Sequence, residues 1–470
     1  MGVILRRLFP GTALTGVLVL CYIAISIGWK PKWESHNADD TDVKEEKQPS
    51  LRVVNPGETI QPHPLQIHIS TVVSHADFPA LGGFNLFLNG WARYREDVDF
   101  KCCLVRAGAD GSLLPDVLTQ VKAWMYHQFT MWIVDMQATE FSCSISRDQL
   151  SALGLDNFTH VALVENTCLE APREVLPILF PRRVAGSVGV CLKVSYGALE
   201  ATRVLEWMEY HRMMAVTSVF TYTWDLDPQA QTVFDYYARL GFLTAVPAHP
   251  PPSKEGPKRG FRRPRYEQQA WVDEVWAAND CKHRMSGLDY VIVMDIDEYI
   301  VPKRGLKTYH DVLEAAHNSN PGAGGFSFDS HVFLLNWGAT RESPLHLGNF
   351  TLRTKTPNYS GFDQNSRWAS MPGRTYFLLN NLVVPRKPFV TAPVPSDLYT
   401  LYHYRSCKVN WKGCDTRSRL EDKSMIQHEL PLVERILALP NLGQLLYDDS
   451  AYVRKMRHWL DKRQKNASGV

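Results

Sequence analysis

The sequence predicts an α/β chain: a mainly parallel, doubly wound sheet in the second half, a smaller β-rich region before it, and an apolar helix at the N-terminus. Three observations predict this. Strand-like and helix-like periods alternate from Ser187 to Met294, the pattern of successive βαβ units. Short β-branched and aromatic runs, separated by Gly, Asp and Asn, occupy the stretch from Gln66 to Asn166, as in a small sheet or sandwich. An uncharged run of apolar and small residues extends from Leu8 to Trp29, close to the ~20 residues that a transmembrane helix needs.

Charge and composition limit the function classes. The 51 Lys+Arg and 49 Asp+Glu leave a formal charge of +2, so no basic field points to nucleic acid. Hydrophobic residues at 45% and charged residues at 21% exclude a disordered or collagen-like chain.

The N-terminal run LFPGTALTGVLVLCYIAISIGW exceeds the apolar core of a signal peptide, about 7–15 residues. Trp29-Lys30-Pro31 is also a poor cleavage site, so residues 8–29 read as an uncleaved anchor with residues 1–7 as a cytosolic tail. Arg6 and Arg7 before it are matched by Lys30 and Lys32 after it, and the positive-inside rule is nearly tied. Cysteines and sequons break the tie. Outside the anchor stand Cys102, Cys103, Cys143, Cys168, Cys191, Cys281, Cys407 and Cys414. Their even number, without zinc-type spacing, suits up to four disulfides, against an alternative of buried free thiols. Sequons at Asn157, Asn349, Asn358 and Asn466 agree with exposure to the secretory lumen.

Residues 30–65 include HNADDTDVKEEKQPS and QPHPL, polar and Pro-containing, and read as a stem. Residues 66–183 form the β-rich lumenal domain, with strand candidates QIHISTVV, FNLFLNGW, FKCCLVRA, TMWIVDMQ and THVALVEN. The Pro-rich stretch APREVLPILFPRR reads as its boundary. No chemistry is legible there; a carbohydrate-binding accessory or a structural extension both fit.

Residues 184–470 carry the informative pattern. SVGVCLKVS is a strand, followed by a helix with Ala201, Leu205 and Met208 on one face. VTSVFTYTW is the next strand, then a helix marked by Val233, Tyr237 and Leu240, and the short strand GFLTAV. A helix with Val272, Val275, Trp276 and Asn279 leads into the strand Tyr290–Met294. Ligands of such sheets bind outside the carboxyl ends of the strands. YVIVM is a continuous apolar run, as expected of a strand buried on both faces, and it ends in Asp295-Ile296-Asp297-Glu298. Alternation puts Asp295 and Asp297 on one side, where two carboxylates repel unless a cation such as Mn²⁺ or Mg²⁺ lies between them. D-x-D also occurs at Asp40/Asp42, Asp97/Asp99 and Asp225/Asp227. Only the pair at 295 and 297 follows a buried strand inside the α/β pattern; WDLDPQ reads as the cap of the next helix.

Four blocks in order, GALEATRVLEWMEYHRMMAVTSVFTYTW, YEQQAWVDEVWAANDCKHR, LDYVIVMDIDEYIVP and LYHYRSC, resemble successive signatures of glycosyltransferase family 92. The resemblance spans roughly Val188 to Gln427. That family, first defined as a domain of unknown function, includes plant galactan synthases and a nematode galactosyltransferase acting on N-glycan fucose. The resemblance implies a GT-A fold, UDP-galactose as donor, a divalent metal, inversion to a β-linkage on a glycan acceptor, and a type II Golgi topology. It also implies roles for residues. Asp295 and Asp297 match the metal pair, Glu298 the acidic residue after it, and His403 a histidine returning to the metal. Lys193, Ser195 and Tyr196 fall where uracil and ribose are held; Tyr222, ending the second strand, reads either as a base-stacking residue or as a buried aromatic. FSFDSHVFLLNWGATRESP resembles the acceptor-side segment only loosely.

Inverting transfer needs one general base within hydrogen-bond reach of the acceptor hydroxyl. Asp329 and Glu342, flanking the next strand and loop, are the candidates. The stretch SKEGPKRGFRRPRYE, with Lys254, Lys258, Arg259, Arg262, Arg263 and Arg265, reads as a lid on the diphosphate or as a solvated charged loop. Two rival functions share some of these features. A glycoside hydrolase needs two carboxylates about 5–10 Å apart and no nucleotide; a non-enzymatic cell-surface glycoprotein needs only sugar-binding aromatics.

Overall fold

Two sheets meet on one helix. The structure is a computed structural model and describes residues 52–53, 68–75, 83–92, 99–107, 113–127, 137–146, 148, 158–165, 167–168, 174–248, 274–355, 367–379, 382–407, 416–446 and 450–468. The apolar segment 8–29, the 30–50 part of the stem and the basic stretch 253–267 lie outside the described residues. Among the described residues no helix is long and apolar enough to cross a membrane.

The first sheet contains β1 (Arg52–Val53), β2 (His68–His75), β3 (Gly83–Ala92), β4 (Phe100–Ala107), β5 (Leu113–His127), β6 (Gln137–Ser146), β7 (Phe158–Glu165) and β8 (Glu174–Pro177). Its order is β1-β8-β7-β4-β5-β6-β3-β2. Four of the expected runs become β2, β3, β4 and β7, whereas residues 130–136 of TMWIVDMQ lie outside the described residues. APREVLPILFPRR is not a bare boundary: β8 runs through it, pairing with β7 and β1. Proline is tolerated there because Pro177 ends a strand next to the sheet edge. The adjacent Cys102 and Cys103 point to opposite faces of β4, as strand alternation requires. Cys102 therefore bonds Cys143 of β6 and Cys103 bonds Cys168.

The second sheet is the doubly wound one. Its strands are β9 (Val184–Gly197), β10 (Ser218–Leu226), β11 (Leu243–Pro247), β12 (Leu288–Val293), β14 (Ala323–Phe328), β17 (Arg367–Ser370) and β20 (Val390–Pro393), in the order β11-β10-β9-β12-β17-β14-β20. All pairings are parallel except those of β17, which runs antiparallel to both β12 and β14. Helices α1 (Ala201–Met213), α2 (Pro228–Arg239) and α4 (Tyr309–Ser319) bury Val190, Leu192, Tyr290 and Ile292 on one face. Helix α3 (Glu274–Arg284) covers Cys191, Phe220, Val291 and Val293 on the other. The YVIVM run is apolar throughout because each of its faces meets a different layer.

A smaller sheet, β13 (Glu298–Pro302), β21 (Tyr399–Arg405) and β15 (Ser330–Leu334), stands beyond the end of β12. β16 (Leu352–Thr354) pairs with β22 (Arg419–Glu421), and β18 (Thr375–Leu379) with β19 (Leu382–Pro385). Helices α5 (Glu429–Leu437), α6 (Leu442–Leu445) and α7 (Ser450–Ser468) close the chain. Tyr452 of α7 donates to the buried Glu206 of α1 at 2.7 Å.

Helix α3 joins the two sheets. Trp276 stacks on Trp91 of β3 with ring centroids 4.3 Å apart, and Asp280 accepts from Asn89 at 3.2 Å. His283 stacks on Phe87 and lies 2.8 Å from Glu140 of β6. On its other side α3 is bonded to β9 through Cys191–Cys281. Cys407 is also disulfide-bonded.

Candidate active site

The site begins where β12 runs out of partners. After Val293 the chain turns through Met294–Asp297 into β13, and Glu298 closes that turn twice. Its N–H donates to Asp295 O at 3.1 Å, and its Oε2 accepts the Asp295 N–H at 2.8 Å. β13 then pairs with β21 in a register that sets Glu298 opposite His403, and Tyr404 N–H donates to Asp297 O at 2.9 Å. Residues over a hundred positions apart are thus brought to one corner.

There the ligand atoms of Asp295, Asp297 and His403 all lie within 4.8 Å of one another. His403 Nε2 is 3.3 Å from Asp297 Oδ1. The His403 ring is fully buried, while the Asp295 and Asp297 side chains are 33% and 36% exposed. Two carboxylates and an imidazole facing a partly open corner fit a hard divalent cation. His403 Nδ1 lies 3.2 Å from Glu298 Oε1, at ion-pair range but without hydrogen-bond alignment. Nε2, 3.3 Å from Arg405 Nη1 as well as from Asp297 Oδ1, is the ring nitrogen that faces the corner.

Lys193 and Arg367 pair with Asp295 at the same corner, and Arg405 Nη1 lies 3.3 Å from His403 Nε2. Lys193 Nζ lies 3.0 Å from Asp295 Oδ1 and 2.9 Å from Glu274 Oε2. Arg367 donates through Nη2 to Asp295 Oδ2 and through Nε to both oxygens of Glu298, Oε1 at 2.6 Å. Burial works against ionisation of Asp295, but Arg367 and Lys193 hold its carboxyl well below the usual carboxylate range. Burial likewise opposes the Asp297 charge, and His403 beside it keeps that carboxyl low. Both are therefore carboxylates at neutral pH, as metal ligands must be.

Lys193 reaches this position through an irregular strand. The pairing of β9 with β10 slips between Cys191 and Val194, and Lys193 has φ +58. A bulge of this kind re-aims a side chain.

The structure thus gathers Lys193, Asp295, Asp297, Glu298 and His403 from the expected set and revises several roles. Lys193 meets carboxylates rather than an open nucleoside subsite. Glu298 is fully buried and saturated by Arg367 and the Asp295 N–H, so it braces the site instead of touching substrate. Tyr222 is 2% exposed, packs on Trp276 at 4.4 Å and donates to Asp280; no face is left for a base. Ser195 is buried, its hydroxyl 2.8 Å from Thr221 Oγ1, and Tyr196 is half-buried nearby. Asp329 is exposed in the β14–β15 turn, where its N–H meets the Tyr399 hydroxyl. Glu342 is exposed in a loop organised by a different carboxylate, Glu429, which binds Arg341 and Ser343. Asp227 caps α2 by accepting Gln229 N–H at 2.9 Å, as its sequence context suggests. Arg367 lies outside the quoted blocks and comes into view only in the folded chain; Glu274 lies within YEQQAWVDEVWAANDCKHR, but its role beside Lys193 appears only in the fold.

At the carboxyl ends of β9 and β10 a cavity of about 300 Å³ is lined by Leu199, Glu200, Thr202, Asp227, Gln229 and Leu446, among others. It opens on the edge where a doubly wound sheet receives ligands.

Residues 186–428, just over half the chain, match Glycosyltransferase family 92. The chain belongs to that family. The match brackets Lys193, Glu274, the Asp295–Glu298 turn, Arg367 and His403, so this glycosyltransferase keeps its whole acidic corner inside the family segment. No curated protein matches the sequence. Among solved structures, the crystal structure of S. aureus TarS 1-349 is similar at 9% identity over 59% of this chain and 74% of that one, with a TM-score of 0.24. At that level no residue correspondence follows.

Proposed function

We propose that this family 92 glycosyltransferase is a metal-dependent, inverting enzyme of the GT-A type that transfers galactose from UDP-galactose in β-linkage to a glycan such as an N-glycan. The observation that carries the reading is the Asp295, Asp297 and His403 group at the carboxyl edge of the sheet. The strand order, with one antiparallel strand beside the D-x-D strand, supports the GT-A assignment. Anchoring by residues 8–29 in a Golgi membrane, with the catalytic part in the lumen, is part of the same proposal and is supported by the disulfides, which persist in oxidising compartments.

Asp295, Asp297 and His403 would hold Mn²⁺ or Mg²⁺. When bound, such an ion supplies Lewis-acid neutralisation of the charge that grows on a departing diphosphate. The chain adds its own positive charge: Lys193 and Arg367 stand beside Asp295 with little solvent around them, 8% and 9% exposed in the side chain, where fixed charges act strongly. The cavity beside Glu200 and Asp227 offers carboxylate acceptors for the N–H edge of a base. Asp329 and Glu342 remain the proposed bases, to be separated by substitution.

The test is direct. Full-length protein is incubated with a panel of UDP-sugars and a glycan acceptor mixture, and released UDP is measured with and without chelator. UDP release from UDP-galactose that chelation abolishes and Mn²⁺ restores is the expected result, with Asp297→Asn lowering the rate at least about a hundredfold. Turnover insensitive to chelation would discard the metal assignment, and preference for another sugar would discard the galactose one.

A further inference from the structure

Lys193 is placed at some cost. A lysine at φ +58 lies in the left-handed region, which non-glycine residues seldom enter because Cβ crowds the following carbonyl. The irregular register of β9 delivers its ammonium, on a side chain 8% exposed, between two carboxylates from different elements: Asp295 at 3.0 Å and Glu274 of α3 at 2.9 Å. Arg367 takes the other Asp295 oxygen and is itself held by Glu298. The two anchors differ. Arg367 is fixed from behind by a fully buried partner, whereas Lys193 sits on a flexible stem between an oxygen of the metal corner and an oxygen outside it. Lys193 therefore has a second place to rest if Asp295 is taken.

We propose that Lys193 is a latch on the metal corner. With no donor bound it pairs with Asp295 and weakens cation binding there; an incoming nucleoside diphosphate draws the ammonium onto its phosphate oxygens, and Asp295 is released to the cation. Cation and diphosphate then bind cooperatively, with Lys193 as the coupling element and Glu274 as its alternative anchor. The inference rests on the metal-corner reading above. It goes beyond that reading by assigning Lys193 to the diphosphate rather than the nucleoside and by predicting the order in which the site fills. Coupling of this type is reciprocal: whatever factor the diphosphate adds to cation affinity, the cation adds to diphosphate affinity.

The experiment titrates Mn²⁺ into the full chain by electron paramagnetic resonance, alone and with saturating UDP, for wild type and three variants. Wild type is expected to bind Mn²⁺ weakly alone and about tenfold or more tightly with UDP. Lys193→Met, which removes the charge and keeps the bulk, is expected to bind Mn²⁺ alone about tenfold better and to lose most of the UDP effect. Lys193→Arg retains the coupling. Glu274→Gln acts in the opposite direction: Lys193, left with Asp295 alone, lowers Mn²⁺ affinity in the absence of UDP. Melting temperatures recorded on the same samples show which variants are folded, and the Arg and Gln variants carry the test if the Met variant is not. Mn²⁺ affinity and UDP coupling unchanged in both Lys193→Met and Glu274→Gln overturn the latch while leaving the metal corner standing. Absence of Mn²⁺ binding to wild type in either condition overturns the metal corner itself, and the latch with it.

Discussion

Arg367 and Glu298 form a buried ion pair in which the guanidinium Nε faces both carboxylate oxygens, one of them at 2.6 Å. The same carboxylate accepts the Asp295 N–H and lies beside His403 Nδ1. Removing Glu298 strips the buried Arg367 of one of its two carboxylate partners and the Asp295 N–H of its acceptor; breaking a buried pair in this way typically costs about 3–5 kcal/mol. Glu298→Ala should therefore destabilise the fold by about that amount in urea unfolding and also abolish turnover. Glu298→Gln keeps the shape and should unfold at a clearly higher urea midpoint than Glu298→Ala. Equal stabilities for the two variants would refute the brace.

His211, a buried residue of α1, predicts a pH dependence of stability. Its Nδ1–H donates to Trp207 O at 2.7 Å, the ring stacks on Trp207, and Nε2 lies 3.2 Å from the Tyr309 hydroxyl and 3.1 Å from Met294 Sδ. The aromatic rings of Tyr210 and Tyr299 complete the surround, with no carboxylate among these groups. Burial pushes His211 down from 6.5 to about 3. Above pH 6.5 the ring is neutral in both folded and unfolded chains and costs nothing. Between 6.5 and about 3 only the unfolded chain takes the proton, so stability falls as pH falls, by up to about 1.4 kcal/mol per unit. Urea midpoints measured at pH 7 and pH 5 should differ in wild type by more than in His211→Gln; parallel curves would count against the assignment.

Cys191 and Cys281 bind β9 to α3 two residues from Lys193 and seven from Glu274. Replacing both with serine should lower stability by about 2–4 kcal/mol. Because the Lys193–Glu274 contact depends on the same strand and helix staying in register, UDP affinity should also fall in the folded variant, measured by calorimetry below its melting temperature. A stability loss with unchanged UDP affinity would show that the strand and helix hold their register unaided.

The parts of this architecture that the sequence made legible are those with local causes. β12 is apolar on both faces and ends in charge, so strand, burial and the Asp295/Asp297 pair could be read from nine consecutive residues. Asp227 was readable as a cap because Asp-Pro at a helix start has a local reason. His403 was reachable only by family resemblance, since nothing in LYHYRSC reveals the register that sets it opposite Glu298. Arg367 was not legible, because it sits on the short strand RWAS and only tertiary packing turns it toward Asp295; Glu274 falls inside the block YEQQAWVDEVWAANDCKHR, but nothing in that block reveals its pairing with Lys193. Tyr222 illustrates a different limit. An aromatic near a strand end can face either layer, and here the covering helix supplied Trp276 and Asp280 as partners, which periodicity alone cannot foresee. β8 was obscured by its prolines, which signal a break unless the strand is known to lie near an edge.

The helix shared by the two sheets has a practical corollary. The stretch that defines the family starts at residue 186, yet the indole of Trp276 and the carboxylate of Asp280 find partners in Trp91 and Asn89, well upstream of that start. A protein trimmed to the recognisable segment would bare a greasy wall and strand polar groups beneath its own catalytic floor. Expression trials that begin there invite precipitation for a reason unrelated to chemistry.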